Sequence, residues 1–229
     1  MKATVIAATQ PTIQGTAVDV VEQAACICYD SNPTQRHIIA RACARSGHMS
    51  VWEHISFTFR IEQVSRSLLA QLTRHRHFSF SVRSQRYCDA RQDGYIRPIG
   101  LGPEADTVLR EGCLAAFNKY TQLREMGIAA EDARAVLPNA ASTELVLTAN
   151  ARALVEASRL RLCSRAQGEI RELFREMRRA VAPYAPEVAD MMRPQCEANQ
   201  KHPFCPEERS CGRHPRLADV YAVVEGEDL

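Results

Sequence analysis

Apolar residues recur along this chain with two different periods, and the switching between them outlines an α+β protein. Residues 2–8 (KATVIAA) suit a short opening strand. Over 16–29, Val18, Val20, Val21, Ala24 and Ala25 fall on one stripe, which predicts a helix. Asn32 and Pro33 mark the expected first turn of a second helix, with Ile38, Ile39, Ala42 and Cys43 at helical spacing and Gly47 as its left-handed cap. Residues 54–64 then change period: Ile55, Phe57, Phe59 and Ile61 alternate with Ser56, Thr58, Arg60 and Glu62. That alternation is the clearest strand in the chain, buried on one face.

A helix is expected over 65–73, turning Leu68, Leu69 and Leu72 inward, followed by an irregular polar segment over 74–87. A loop rich in Asp, Gly and Pro leads to a long helix over 103–126, and a short one over 129–137 stops at Pro138. Residues 142–148 alternate as a second strand, Asn150 caps a helix through Arg159, and 164–180 form another, charged on one face. The expected fold is a small, mostly antiparallel sheet packed with long helices, ending in an irregular tail rich in Cys and Pro. The main domain is read over 1–194 and the cysteine-bearing extension over 195–229. With no G-x-G-x-x-G and no P-loop, a nucleotide has to be held by side chains.

At 229 residues, with 45% hydrophobic and 24% charged residues, the chain builds a full core and is neither disordered nor a disulfide miniprotein. No apolar run is long enough for a membrane span, and the first residues lack the apolar segment of a secretory signal, so a cytoplasmic protein is expected. The net charge of +2 conceals a preference: only Lys2, Lys119 and Lys201 are lysines, and the other 26 of the 29 basic residues are arginine. Arginine offers a planar fork that grips phosphate at two points.

Four of those arginines, Arg74, Arg76, Arg83 and Arg86, lie in the run RHRHFSFSVRSQRY without an Asp or Glu among them. Unless an anion compensates them, such charges repel. A solvated basic loop is the bland explanation. Phe78, Phe80, Val82 and Tyr87 argue against it by drawing the stretch partly into the fold, beside serine hydroxyls. The composition therefore points to a phosphate site.

The string R-H-R-x7-S, from Arg74-His75-Arg76 to Ser84, followed by Gln85-Arg86-Tyr87, resembles the hallmark of the flavin-dependent thymidylate synthases. Further blocks resemble that family in order. His48, Glu53 and His54 precede Phe57 and Phe59 as H-x4-E-H and F-x-F, and Gln71 stands three residues before Arg74. Ala133-Arg134-x-Val136-Leu137-Pro138 follows, then Asn150-Ala151-Arg152, then Leu160-Arg161 with Ala166-Gln167-x-Glu169-Ile170.

The resemblance implies reductive methylation of dUMP to dTMP, with methylenetetrahydrofolate and NADPH as co-substrates and FAD relaying hydride. It implies a homotetramer whose active sites are shared between chains. On the family pattern, FAD is expected at Ser50, Arg74, His75, Arg76, Val82, Asn150, Ala151, Arg152 and Glu156. The nucleotide is expected at Gln71, Leu72, Thr73, Arg74, Val82, Arg83, Ser84, Gln85, Arg86, Arg134 and Arg161.

Arg161 is the implied catalytic residue, its guanidinium stabilising charge on the pyrimidine. The residues alone do not separate it from Arg159 and Arg165 in the run RLRLCSR. Ser84 is read as a nucleotide ligand rather than a nucleophile, since no acid in its segment orients His75 or His77 as a base. His48 is expected to support the flavin. Four positions depart from the family pattern: Val82, where Glu or Gln is common; Arg83; Glu156, where Asn is common; and Arg165, where His is common.

In the tail, Cys196, Cys205 and Cys211 lie among His202 and His214 at spacings that match no zinc knuckle, so packed thiols are expected ahead of a zinc clip and no metal ligand is assigned. Cys26 and Cys28 are expected to be buried and inert in their helix. A nucleic-acid-binding module is the alternative class, disfavoured by a near-balanced charge and no basic helix face. Neither a nucleic-acid nor a membrane partner is expected.

Overall fold

The computed structural model describes residues 1–12, 14–199 and 201–221, so the end of the expected extension, 222–229, lies outside the described residues. β1 (Lys2–Ala8) is followed by α1 (Ala17–Cys28), α2 (Ile38–Ser46) and a 3-10 turn at Ser50–His54. β2 (Ser56–Ser65) runs into α3 (Arg66–Leu72), then β3 (Phe78–Val82), the long α4 (Pro103–Glu125) and the short α5 (Ala130–Ala133) with a 3-10 turn at Arg134–Val136. β4 (Ser142–Asn150) continues into α6 (Ala151–Arg161), α7 (Gly168–Val181) and α8 (Pro186–Met191). The strands form one four-stranded antiparallel sheet in the order β1-β2-β4-β3. Two compact units result: Met1–Thr4 with Phe59–Thr148, and Val5–Thr58 with the described residues from Ala149 onward. Among the described residues no helix is long and apolar enough to cross a membrane.

The period-two segments behave as expected. Phe57, Phe59 and Ile61 are buried in β2, and Thr143, Leu145, Leu147 and Ala149 turn inward from β4. Both strands hand over to helices by the same device. Ser65, with extended backbone, accepts the Leu68 N–H through its hydroxyl at 2.9 Å, and Asn150 accepts the Ala153 N–H through its side chain at 2.8 Å. A cap of this kind is worth about 1 kcal/mol, and it fixes where the chain turns from sheet to helix. Arg74 follows the first of these helices, and Arg152 stands in the first turn of the second.

Several elements differ from the sequence expectation. Phe78–Val82 is a strand, although the surrounding serines and arginines read as loop; Phe78 is buried, and Ser79 and Ser81 face outward. The second helix begins at Ile38 rather than near Pro33. Its start is set from outside: Glu22 on α1, 1% exposed, accepts the Ala40 N–H at 2.7 Å and the Thr34 hydroxyl at 3.1 Å, and Asp19 holds His37 at 2.8 Å. Gly47 closes that helix with φ 80°, as expected of a left-handed cap. α7 begins at Gly168, later than expected, and α8 follows within the main domain, where no helix was expected. Leu69 is half-buried, and Cys28 is exposed although Cys26 is buried.

Candidate active site

The first group of expected site residues belongs to the unit containing Phe59–Thr148. α3 delivers the chain to it: the Thr73 hydroxyl donates to the Leu69 carbonyl at 3.0 Å, and the Leu72 carbonyl accepts the His75 N–H at 3.1 Å. The Leu72 side chain is fully buried, so only its backbone is left for a ligand, whereas Gln71 is half-buried. Arg74 and Arg76 are exposed, and among the described residues neither has a hydrogen-bond or ion-pair partner. Between them His75 is half-buried, its ring 5.1 Å from that of Phe78. This anchors the backbone while the two guanidiniums project.

Beyond β3, where Val82 is half-buried, the chain is held by arginine contacts. The Arg83 guanidinium pairs with Asp93 at 3.0 Å, and Arg66 donates to the Arg83 carbonyl at 2.7 Å. Ser84 Oγ accepts the Arg86 N–H at 3.1 Å, and Gln85 beside it is half-buried. Arg86 Nε meets Glu131 at 2.7 Å, and Arg134 Nε donates to the Glu131 carbonyl at 3.0 Å. Glu131, at the start of α5, therefore gathers Arg86 and Arg134 across 45 residues of sequence.

Charge in this cluster is incompletely balanced. Burial holds the Arg66 guanidinium below its usual range; Asp93 offsets this, and Arg134 and Arg83 reinforce it. Burial also pushes the Asp93 carboxyl up, against the pull of Arg83 and Arg66. Arg83 and Arg66 thus share one desolvated carboxylate, with Arg134 adding a third positive charge near Arg66, an arrangement that welcomes a further anion. Arg66 and Asp93 were not singled out from sequence. Neither belongs to a local pattern, and only the fold brings them to Arg83.

The second group belongs to the other unit. His48, Ser50 and His54 are exposed around the 3-10 turn before β2. Ala151 is fully buried at the start of α6, its N–H donating to the Ile55 carbonyl at 2.8 Å. Arg152 is pinned between Glu53 and Glu156, each at 2.8 Å, and the hydrogen bonds to Glu156 and then Glu53 raise its pKa. Glu156 thus serves an internal ion pair. Arg161, half-buried at the end of α6, lines a cavity of about 420 Å³ together with Arg159 and Arg165. The three arginines that sequence left equivalent differ here, because Arg165 is tied to Glu207 of the C-terminal segment.

An α+β protein with clustered, partly unpaired guanidiniums is built to hold phosphorylated nucleotides by side chains. Residues 12–187 match the family model described as thymidylate synthase complementing protein, and the chain belongs to that family.

It is 44% identical over 180 residues, 76% of each chain, to the flavin-dependent thymidylate synthase of Geobacter sulfurreducens. To that of Nitratidesulfovibrio vulgaris it is 42% identical over 182 residues, 74% of this chain and 73% of the relative. The crystal structure of flavin dependent thymidylate synthase from Helicobacter pylori complexed with FAD and dUMP shares the fold. Its TM-score is 0.70 at 23% identity, covering 84% of this chain and all of the other. The resemblance read from the Arg74–Ser84 motif and its companion blocks is thereby borne out, and the chain is an enzyme of the flavin-dependent thymidylate synthase class.

Proposed function

We propose that the protein converts dUMP to dTMP by reductive methylation, with methylenetetrahydrofolate as carbon donor, NADPH as reductant and FAD as the hydride relay. The observation that supports this most directly is the R-H-R-x7-S motif standing with exposed, acid-free Arg74 and Arg76, in the same unit as the guanidinium cluster of Arg66, Arg83 and Arg134. A flavin dinucleotide needs cationic and amide donors for its diphosphate and ring edges. Arg74, Arg76, Arg152 and the Asn150 amide supply them, so the residues fit the group. They would hold it together with Ser50, His75, Val82, Ala151 and Glu156. When bound and reduced, FAD supplies the hydride that brings the transferred carbon to the methyl level.

The chain's own residues bind and polarise. Arg83, Ser84, Gln85, Arg86 and Arg134 hold the nucleotide, with Gln71, Leu72 and Thr73 supporting it from the end of α3. Val82 adds apolar contact only, and Leu72 and Ala151 act through their backbone. Arg161 keeps its charge and donates from a planar edge, so it stabilises negative charge developing on the pyrimidine carbonyl and N3. A donor of this kind is usually worth about 3–4 kcal/mol. Ser84 binds rather than attacks. Its oxygen accepts the Arg86 N–H, and among the described residues no base is hydrogen-bonded to it. Four chains assemble so that each site draws on more than one of them.

The test is direct. Purified protein is expected to be yellow or to take up FAD, and to form dTMP from dUMP when methylenetetrahydrofolate and NADPH are both supplied. A colourless chain that takes up no flavin and instead binds oligonucleotide with a steep salt dependence overturns the reading.

A further inference from the structure

Residues 195–221 contain few side chains able to build a core, and among the described residues of that range only Cys205 is buried and apolar. The segment nonetheless closes on itself. Cys205 bridges in parallel to Arg216, its N–H donating to the Pro215 carbonyl at 2.7 Å and its carbonyl accepting the Leu217 N–H at 3.1 Å. That bridge brings Cys205 next to the strand of chain carrying His214. Across from it, Cys196, Glu197 and His214 present ligand atoms that all lie within 4.8 Å of one another. The His214 Nε2 is buried with no hydrogen-bond partner, and its approach to Glu197 is 3.7 Å. A buried, unpartnered imidazole nitrogen is costly unless something accepts or supplies its bond. Cys163, Cys196, Cys205 and Cys211 all line one cavity.

The geometry points to a zinc site in the C-terminal segment, held by Cys196, Glu197 and His214. Thiolate, imidazole and carboxylate are each zinc ligands, and with three of them from the protein a water completes the tetrahedron. A bound divalent cation takes the Cys196 sulfur as thiolate. It also gives the orphaned His214 nitrogen its partner. The site staples a segment that lacks apolar area, in the way metals stabilise other small units. Arg213, 3.1 Å from Glu197, is the competing cation that zinc displaces or shares.

The experiment uses the full chain expressed with zinc in the medium, desalted and measured by plasma mass spectrometry. About one zinc per chain is expected, with iron and copper near background. Cys196→Ser and His214→Ala are each expected to cut the zinc content at least about fivefold, while Cys28→Ser, an exposed thiol on α1, leaves it unchanged. If the variants misfold, the wild-type chain stripped with chelator is titrated with zinc sulfate, and tight uptake with a raised melting temperature is expected. Zinc below about a tenth per chain together with no uptake by the stripped chain overturns the proposal, as does zinc that survives both substitutions or a disulfide between these cysteines in the isolated protein.

Discussion

Replacing Asp93 with asparagine separates the stability of the arginine cluster from its capacity for anions. Asp93 has a side chain only 10% exposed and pairs with Arg83 at 3.0 Å. Burial outweighs Arg83 and Arg66 and pushes its carboxyl above the ordinary value of 3.8. The folded chain therefore binds the proton more tightly than the unfolded one. The contribution of Asp93 to stability is full below pH 3.8 and is lost as pH rises through the folded pKa. Asparagine imitates the protonated form, and Arg83, left without its partner, is 37% exposed, so at neutral pH Asp93→Asn is expected to change unfolding free energy by no more than about 1 kcal/mol.

Anion binding responds to the same charge. A unit charge about 10 Å from a bound phosphate, at an effective dielectric of about 20, contributes about 1.7 kcal/mol, and screening over one Debye length leaves about 0.6 kcal/mol. Removing the negative charge is then expected to tighten dUMP binding about threefold, measured by calorimetric titration at fixed salt, with urea unfolding run in parallel. Weaker or unchanged dUMP affinity in a variant of normal stability refutes the view that Arg83 and Arg134 seat the phosphate.

Arg161→Lys is expected to lower the rate of dTMP formation about a hundredfold or more with flavin content intact, because lysine lacks the planar fork; loss of flavin instead contradicts its assigned role. Ser84→Ala is expected to raise KM for dUMP while turnover persists, and complete inactivity with normal binding revives a nucleophilic serine. Glu22→Gln removes the carboxylate that organises the start of α2, and should cost about 1–2 kcal/mol in chemical denaturation without altering dUMP affinity. The Asp19 carboxyl is held below 3.8, chiefly by the Thr16 N–H and also by His37, so its stabilisation is present above 3.8 and lost as pH falls through the folded value. Acid-unfolding curves of Asp19→Asn should be flatter across that interval, and superimposable curves would contradict the assignment.

Local chemistry was legible in the chain itself. Alternation announced β2 and β4, since a half-buried strand must place apolar groups at every second residue. Asn150 and Gly47 marked helix ends because their caps use neighbouring backbone. The spacing of Arg74, Arg76 and Ser84 carried the enzyme class. Other features depend on partners distant in sequence. The start of α2 rests on Glu22 from another helix, and β3 is a strand because β4 pairs with it despite its serines. Asp93 and Arg66 acquire meaning only beside Arg83, while Arg152 turns out to be pinned by Glu53, 99 residues away. The gathering of Cys196, Glu197 and His214 is of the same kind. Hydrophobic period and capping act within a few residues, whereas desolvation and ion pairing act through space, so only the folded chain decides which charges meet.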